Sequence, residues 1–213
     1  MRVPTIAVLL IGSREPFMGL FREGLRDHGY VEGQNLTLVL RTTEGDAARM
    51  APLSAELVAL KPDIIVASET PAVAAVRRAT SDIPIVMAAA GDPVGTGLIA
   101  SLARPGGNIT GLSAATAEIA GKSLELLREI KPGLRRVAVV ALAGNLLTKP
   151  FIEQIEAVAR ELKIEVKPSL VSGPDDFDAA FTTMTREAVE AVIVQPSVPY
   201  RRAIDLALRP KLL

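Results

Sequence analysis

The sequence predicts an α/β protein made of two doubly wound parallel-sheet lobes, the second of them C-terminally incomplete. Three observations carry that reading. Short apolar blocks rich in β-branched residues alternate with longer amphipathic blocks along all 213 residues, the pattern of successive βα units. Several short blocks are apolar at successive positions instead of alternating, which marks strands covered on both faces. The alternation breaks once, in the turn-rich run 104–113 (RPGGNITGLS), and a second βα series begins at Arg136.

Taken in order, a strand is predicted at 5–11 (TIAVLLI) and a helix near 16–28. The helix end is marked by His28-Gly29: glycine suits the left-handed residue after a helix, and a His in the last turn suits the helix dipole. Strands at 36–41, 63–67, 83–88 and 108–112 alternate with helices near 47–60, 71–79 and 95–103. A long helix follows near 117–131. The second series has strands at 136–142, 164–170 and 191–195 and helices near 150–162, 175–187 and 200–208. The chain is read as an N-terminal α/β lobe over 1–112, a crossover and linking helix over 113–135, and a partial C-terminal α/β lobe over 136–213.

Composition excludes several classes of function. Hydrophobic residues make up 49% and charged residues 23%, enough for a large core and too apolar for wholesale disorder. Twenty-four basic side chains balance 24 acidic ones, so the surface lacks the positive excess that nucleic acid or an anionic membrane requires. With no Cys, disulfides, thiolate catalysis and zinc–thiolate sites are out; with one His, so are a multi-His metal site and a His-based triad beyond that residue. The longest apolar stretches, such as Ile6–Ile11 and Ile83–Ala90, fall far below the roughly 18–20 residues of a membrane span. The start, Met1-Arg2-Val3-Pro4, runs straight into a strand, with no signal-peptide order of regions visible.

In open parallel sheets, ligands bind where the carboxyl ends of strands lead into helices. Those loops share a feature here: Glu15-Pro16, Thr70-Pro71, Asp92-Pro93, Thr148-Lys149-Pro150 and Ser197-Val198-Pro199 follow successive strands. A polar residue before proline reads as a helix start, with free backbone N–H groups and about half a positive charge. Helix capping explains any one of them; their recurrence in both lobes points to a ligand cleft for a carboxylate. Gly91-Asp92-Pro93-Val94-Gly95-Thr96-Gly97 is glycine-rich but lacks the spacing of dinucleotide or phosphate-binding loops, so no cofactor is expected. No catalytic or metal-ligating constellation stands out. Asp92 and the pairs Glu44/Asp46 and Asp175/Asp176 read as caps. Phe17 and Tyr200 stand at strand-to-helix entries, where an aromatic either walls a pocket or packs into the core.

The string from Gly91 to Gly111 (GDPVGTGLIASLARPGGNITG) resembles the signature of the bacterial ABC-transporter substrate-binding proteins related to tryptophan- and tyrosine-type binding proteins. Flanking stretches are similar: 17–25 (FMGLFREGL), 29–35 (GYVEGQN), 55–67 (AELVALKPDIIVA), 80–86 (TSDIPIV) and 121–140 (GKSLELLREIKPGLRRVAVV). The resemblance implies a periplasmic-binding-protein type I fold, capture of a small molecule between two lobes without catalysis, and delivery to an ABC permease driven by a separate ATPase. It implies a periplasmic or extracytoplasmic location and, as a guess at the solute, an aromatic amino acid. It places Ser13, Glu15, Phe17, Ser68, Glu69, Thr70, Gly91, Asp92 and Val94 in ligand-facing loops of the first lobe, and Asn145, Ser197 and Tyr200 in comparable places in the second. Family members carry an export signal and continue further to complete the second lobe, so a shortened lobe with an unpaired strand edge, and weakened binding, are expected here. Two other readings remain open at this point: a ligand-sensing domain of a regulator or receptor with the same fold, and a small-molecule α/β enzyme.

Overall fold

All eight short apolar blocks become strands. The structure, a computed structural model, describes residues 2–173, 175–198 and 200–208; the side chains of Ala117, Glu118, Tyr200 and Arg201 lie outside that description. Two compact units divide the chain, Met1–Ser113 and Ala114–Leu213.

In the first unit, β1 (Thr5–Leu10), β2 (Thr37–Thr42), β3 (Ile64–Ser68), β4 (Ile85–Ala90) and β5 (Ile109–Ser113) form one sheet in the order β2-β1-β3-β4-β5. Every pair is parallel, with Val8 opposite Leu40 on one side and Val66 on the other. The uninterrupted apolar run of β1 follows from this. Ala7 and Leu9 join the core that contains Met50 and Leu57 of α2 (Met50–Ala59) and Ala72, Val73 and Val76 of α3 (Glu69–Ala79). Val8 and Leu10 point to the opposite face, against Met18 of α1 (Phe17–Asp27), with Phe17 and Phe21 packed alongside. Side chains of a strand alternate between faces, so only a run with no polar positions can satisfy two cores. Each fully buried Leu or Val contributes about 1.5–3 kcal/mol relative to exposure.

The second unit repeats the scheme with β6 (Arg136–Leu142), β7 (Glu165–Val171) and β8 (Ala191–Val194), parallel in the order β7-β6-β8. Val137 and Val139 of β6 share a core with α4 (Thr116–Ile130) and α5 (Thr148–Leu162) through Ala120, Leu124, Phe151 and Ile155. On β7 and β8 rest α6 (Asp176–Arg186) and α7 (Tyr200–Leu208). The stretch read from the sequence as a linking helix holds α4, which packs on α5 within this unit. Gly121 permits that approach: a Cβ there would stand 2.7 Å from Val158 Cγ2.

One predicted element does not form. Residues 95–103 are turns, not a helix. Gly97 sits at φ +70°, and both Leu98 N–H (2.9 Å) and Ile99 N–H (3.1 Å) donate to the Pro93 carbonyl. Ala100 N–H donates to Pro105 O at 2.9 Å, folding the segment back on itself. Leu98 and Ile99 reach the core side by side, which a helical stripe with a spacing of three or four would not give.

Two predictions follow from this packing. Gly111 lies in β5 at φ +135°, and a Cβ there would come within 2.1 Å of Met87 O and 2.7 Å of Met87 N. Gly111→Ala therefore costs on the order of 3 kcal/mol or more, read as a lower urea midpoint for the first unit. Glu190, at the foot of β8, accepts from Arg135 N–H (2.9 Å) and Arg136 N–H (3.1 Å) and pairs with Lys131 Nζ at 2.9 Å. The Lys131 hydrogen bond first, and the Arg135 amide next, hold its carboxyl below the ordinary carboxylate value. A depressed carboxylate stabilises the fold above its unfolded pKa of about 4.3 and loses that contribution as pH falls through the folded value. Glu190→Gln should cost under about 1 kcal/mol at pH 7, and the gap to wild type should close in urea titrations run below pH 4.

Candidate functional site

Because every strand is parallel, each sheet ends all its strands on one edge, and the loops that enter the next helices gather there. In the first unit the chain leaves β1 toward β2 and returns on the far side as β3. The loops after β1 and β3 thus diverge at a topological switch point, where open α/β sheets leave a crevice. In the second unit the switch falls between β6 and β8.

The loop after β1 carries Ser13 and Glu15, both exposed. Ser13 Oγ donates to Glu15 O at 3.0 Å, and Glu15 Oε2 accepts from Gly19 N–H at 2.9 Å, so the carboxylate caps α1 from outside the helix. Phe17 opens α1, stacks on Phe21 with ring centroids 5.8 Å apart, and is half-buried against the β1 core. Thr42 and Thr43 anchor this loop from the neighbouring strand, donating to Gly12 O (2.5 Å) and Ile11 O (2.8 Å).

Ser68 ends β3 and precedes α3 without a side-chain cap bond, and Glu69 follows at φ +61°. Thr70 is 1% exposed, and its hydroxyl works in both directions across to the loop after β4. It donates to Gly91 O at 3.0 Å and accepts from Gly91 N–H at 3.1 Å. The sequence reading made Thr70-Pro71 a helix start, with the helix from 71; the helix begins two residues earlier, at Glu69, and Thr70 ties two loops instead. Asp92, at φ +41°, accepts from Gly95 N–H at 2.9 Å and caps a turn, the helix expected after it being absent. Gly95 allows that wrap, since a Cβ would fall 2.0 Å from Asp92 Oδ2. Gly91 is buried and Val94 is exposed.

In the second unit Asn145 is buried; its Oδ1 accepts from Leu147 N–H at 3.0 Å. Ser197 is buried in the turn after β8. Tyr200 opens α7, its side chain lying outside the described residues. Thr148 begins α5 and donates to Leu142 O at 2.7 Å. At the centre stands a residue the sequence reading passed over. Gln195 is 0% exposed, and its Oε1 faces Leu142 N–H (3.0 Å), Asn145 Nδ2 (3.3 Å) and Thr148 Oγ1 (3.3 Å). The available signal was a polar residue closing the apolar run 191–195 (AVIVQ), at the end of a strand covered on both faces.

Backbone strain gathers at the same places. Of the described non-glycine residues at positive φ, Ala115 (φ +48°) precedes α4 in the second unit, and Lys61, Lys163 and Ala188 follow helix ends, where that conformation is routine. Glu44, Glu69, Ala89 and Asp92 do not; they lie at the carboxyl edge of the first sheet, and such residues cost about 1–3 kcal/mol each unless their surroundings hold them. Acidic side chains stand at both edges, with Asp176 and Asp178 in the first turn of α6 in the second unit. Glu15, Glu44, Glu69 and Asp92 lie along the first unit's edge, whereas α5 has no acidic residue in its first turn and no side-chain cap. Away from these loops, the Glu56 carboxyl is lowered by its hydrogen bond from Arg41.

These two units, each a parallel sheet with its loops gathered at one edge, define the periplasmic-binding-protein type I fold. The chain belongs to the ABC transporter substrate binding protein family, whose model matches residues 6–205. It is 30% identical over 164 residues to a tyrosine-binding protein of Clostridioides difficile, an alignment covering 77% of this chain and 47% of that protein. The chain thus spans about half the length of that relative. A crystal structure of a conserved domain protein from Vibrio cholerae superposes with a TM-score of 0.86 at 28% identity, over 99% of this chain and 73% of the other. A structure of an ABC domain in complex with L-Trp from Streptococcus pneumonia gives 0.81 at 26%, over 99% and 72%. No helix among the described residues is long and apolar enough to cross a membrane.

Thr70→Val removes both bonds to Gly91 and leaves its buried N–H and carbonyl without that partner. A loss of roughly 2 kcal/mol is expected in denaturant unfolding, while Ser13→Ala, at an exposed position, should stay within about 0.5 kcal/mol.

Proposed function

We propose that the chain is the solute-binding component of an ABC importer and takes up a small molecule of the amino-acid class at the carboxyl edges of its sheets. The observation that carries this reading is the convergence of switch-point loops, buried polar ties and strained residues on that edge in a chain belonging to this family. Ser13, Glu15, Phe17, Ser68, Glu69, Thr70, Gly91, Asp92 and Val94 are the proposed ligand-facing positions of the first unit, with Asn145, Ser197 and Tyr200 in the second. An aromatic amino acid is the favoured solute, supported by relatives described as tyrosine-binding and as bound to L-Trp. The proposed partners are an ABC permease and its ATPase, and the proposed location is the periplasm or its extracytoplasmic equivalent. The role is capture without turnover: ligand stabilises the state it fits, and no reaction step is assigned.

Thermal-shift and calorimetric titration with the twenty L-amino acids tests this. A true solute at a hundredfold excess over its Kd stabilises the fold by about 2.7 kcal/mol, a saturable rise in melting temperature. Flat curves across the panel, or measurable chemical conversion of any member, would sink the proposal.

A further inference from the structure

The amide of Gln195 is half used. Its Oε1 accepts from Leu142 N–H and Asn145 Nδ2, with Thr148 Oγ1 3.3 Å away and its one proton given to Leu142 O; the Leu142 N–H can only give a hydrogen, which fixes which end of the amide is oxygen. The other end, Nε2, carries two hydrogens, is buried, and has no hydrogen-bond partner. Buried donors in native proteins are satisfied with few exceptions. Turning the amide over would set Nε2 against the Leu142 N–H, so the acceptor has to come to Nε2 where it stands.

The surroundings say what kind of acceptor. Gln195 lies at the switch point between β6 and β8, beside the start of the 15-residue helix α5. That terminus has no acidic residue in its first turn; Asn145 Oδ1 takes the Leu147 N–H ahead of it, and the exposed Lys149 stands 3.8 Å from Glu153 Oε1. Helix N-termini favour anions, and no acidic side chain of the first turn of α5 opposes one here. The turn after β8 is closed by Val198 N–H donating to Gln195 O at 2.9 Å.

We propose that Gln195 is a specificity-determining residue that donates from Nε2 to a carboxylate oxygen of the solute, so that the second unit takes the acidic end of the ligand. This rests on the solute-binding reading above and specifies which chemical group that unit selects.

The test is side-chain amide NMR of the ¹⁵N-labelled protein, with the Gln195 NH2 pair assigned from its loss in Gln195→Glu. The probes are L-tryptophan, indole-3-propionate, which lacks the amine, and tryptamine, which lacks the carboxylate. L-Tryptophan and indole-3-propionate should shift the Gln195 pair; tryptamine should not. Gln195→Glu keeps an oxygen facing Leu142, Asn145 and Thr148 but replaces the donor with a negative oxygen. It should weaken both carboxylates by roughly tenfold to a hundredfold relative to wild type, and leave tryptamine unchanged or tighter. An unmoved Gln195 pair, with backbone amides of the first unit responding to L-tryptophan, overturns this inference and leaves the solute-binding proposal standing. An equal response to tryptamine also overturns it, as does a cross-peak from a bound water that persists in saturating L-tryptophan. No response anywhere to any probe removes both.

Discussion

Parallel pairing is the constraint on which the rest depends. A strand paired on both sides and covered on both faces must be apolar at successive positions, and β1 and β6 are: Ala7 and Leu9 serve one core while Val8 and Leu10 serve the other. The same pairing makes every strand end on one edge, so loops distant in sequence become neighbours. Residues 12, 42, 70 and 91 are far apart along the chain, yet Thr42 bonds the Gly12 carbonyl and Thr70 bonds both polar groups of Gly91. The proposed site is a by-product of strand direction before it is a property of any residue.

That division explains what could be read from the letters. Strand positions were legible because burial on both faces leaves a dense local signal, and β6 (Arg136–Leu142) coincides with its predicted span. Most helices were legible from their stripes, α1 and α5 among them. The segment 95–103 misled because its apolar content is helical in amount but not in spacing. Three glycines, at 91, 95 and 97, let the chain turn back on Pro93 instead. The candidate loops were legible as positions, since each follows a strand. Their internal chemistry was not. A threonine before proline looks like a cap in one dimension; only the neighbouring strand reveals that Thr70 reaches 21 residues along the chain to Gly91. Gln195 escaped for the opposite reason, since it was counted as the tail of a strand.

The carboxyl edges of the two units are built differently. In the first, strain and acidic side chains crowd the edge, and Asp92 bends over a glycine that has no Cβ to obstruct it. In the second, a single buried amide draws together the end of β6, the loop after it and the start of α5.

The reciprocal bond between Thr70 and Gly91 has a chemical corollary. A hydroxyl has a single proton to give, and here it is already spoken for by the Gly91 carbonyl; Ser13 has likewise committed its own to Glu15. Neither alcohol has a proton left to offer. Any guest that meets them must come as the giver, with an ammonium, an amide or a hydroxyl of its own.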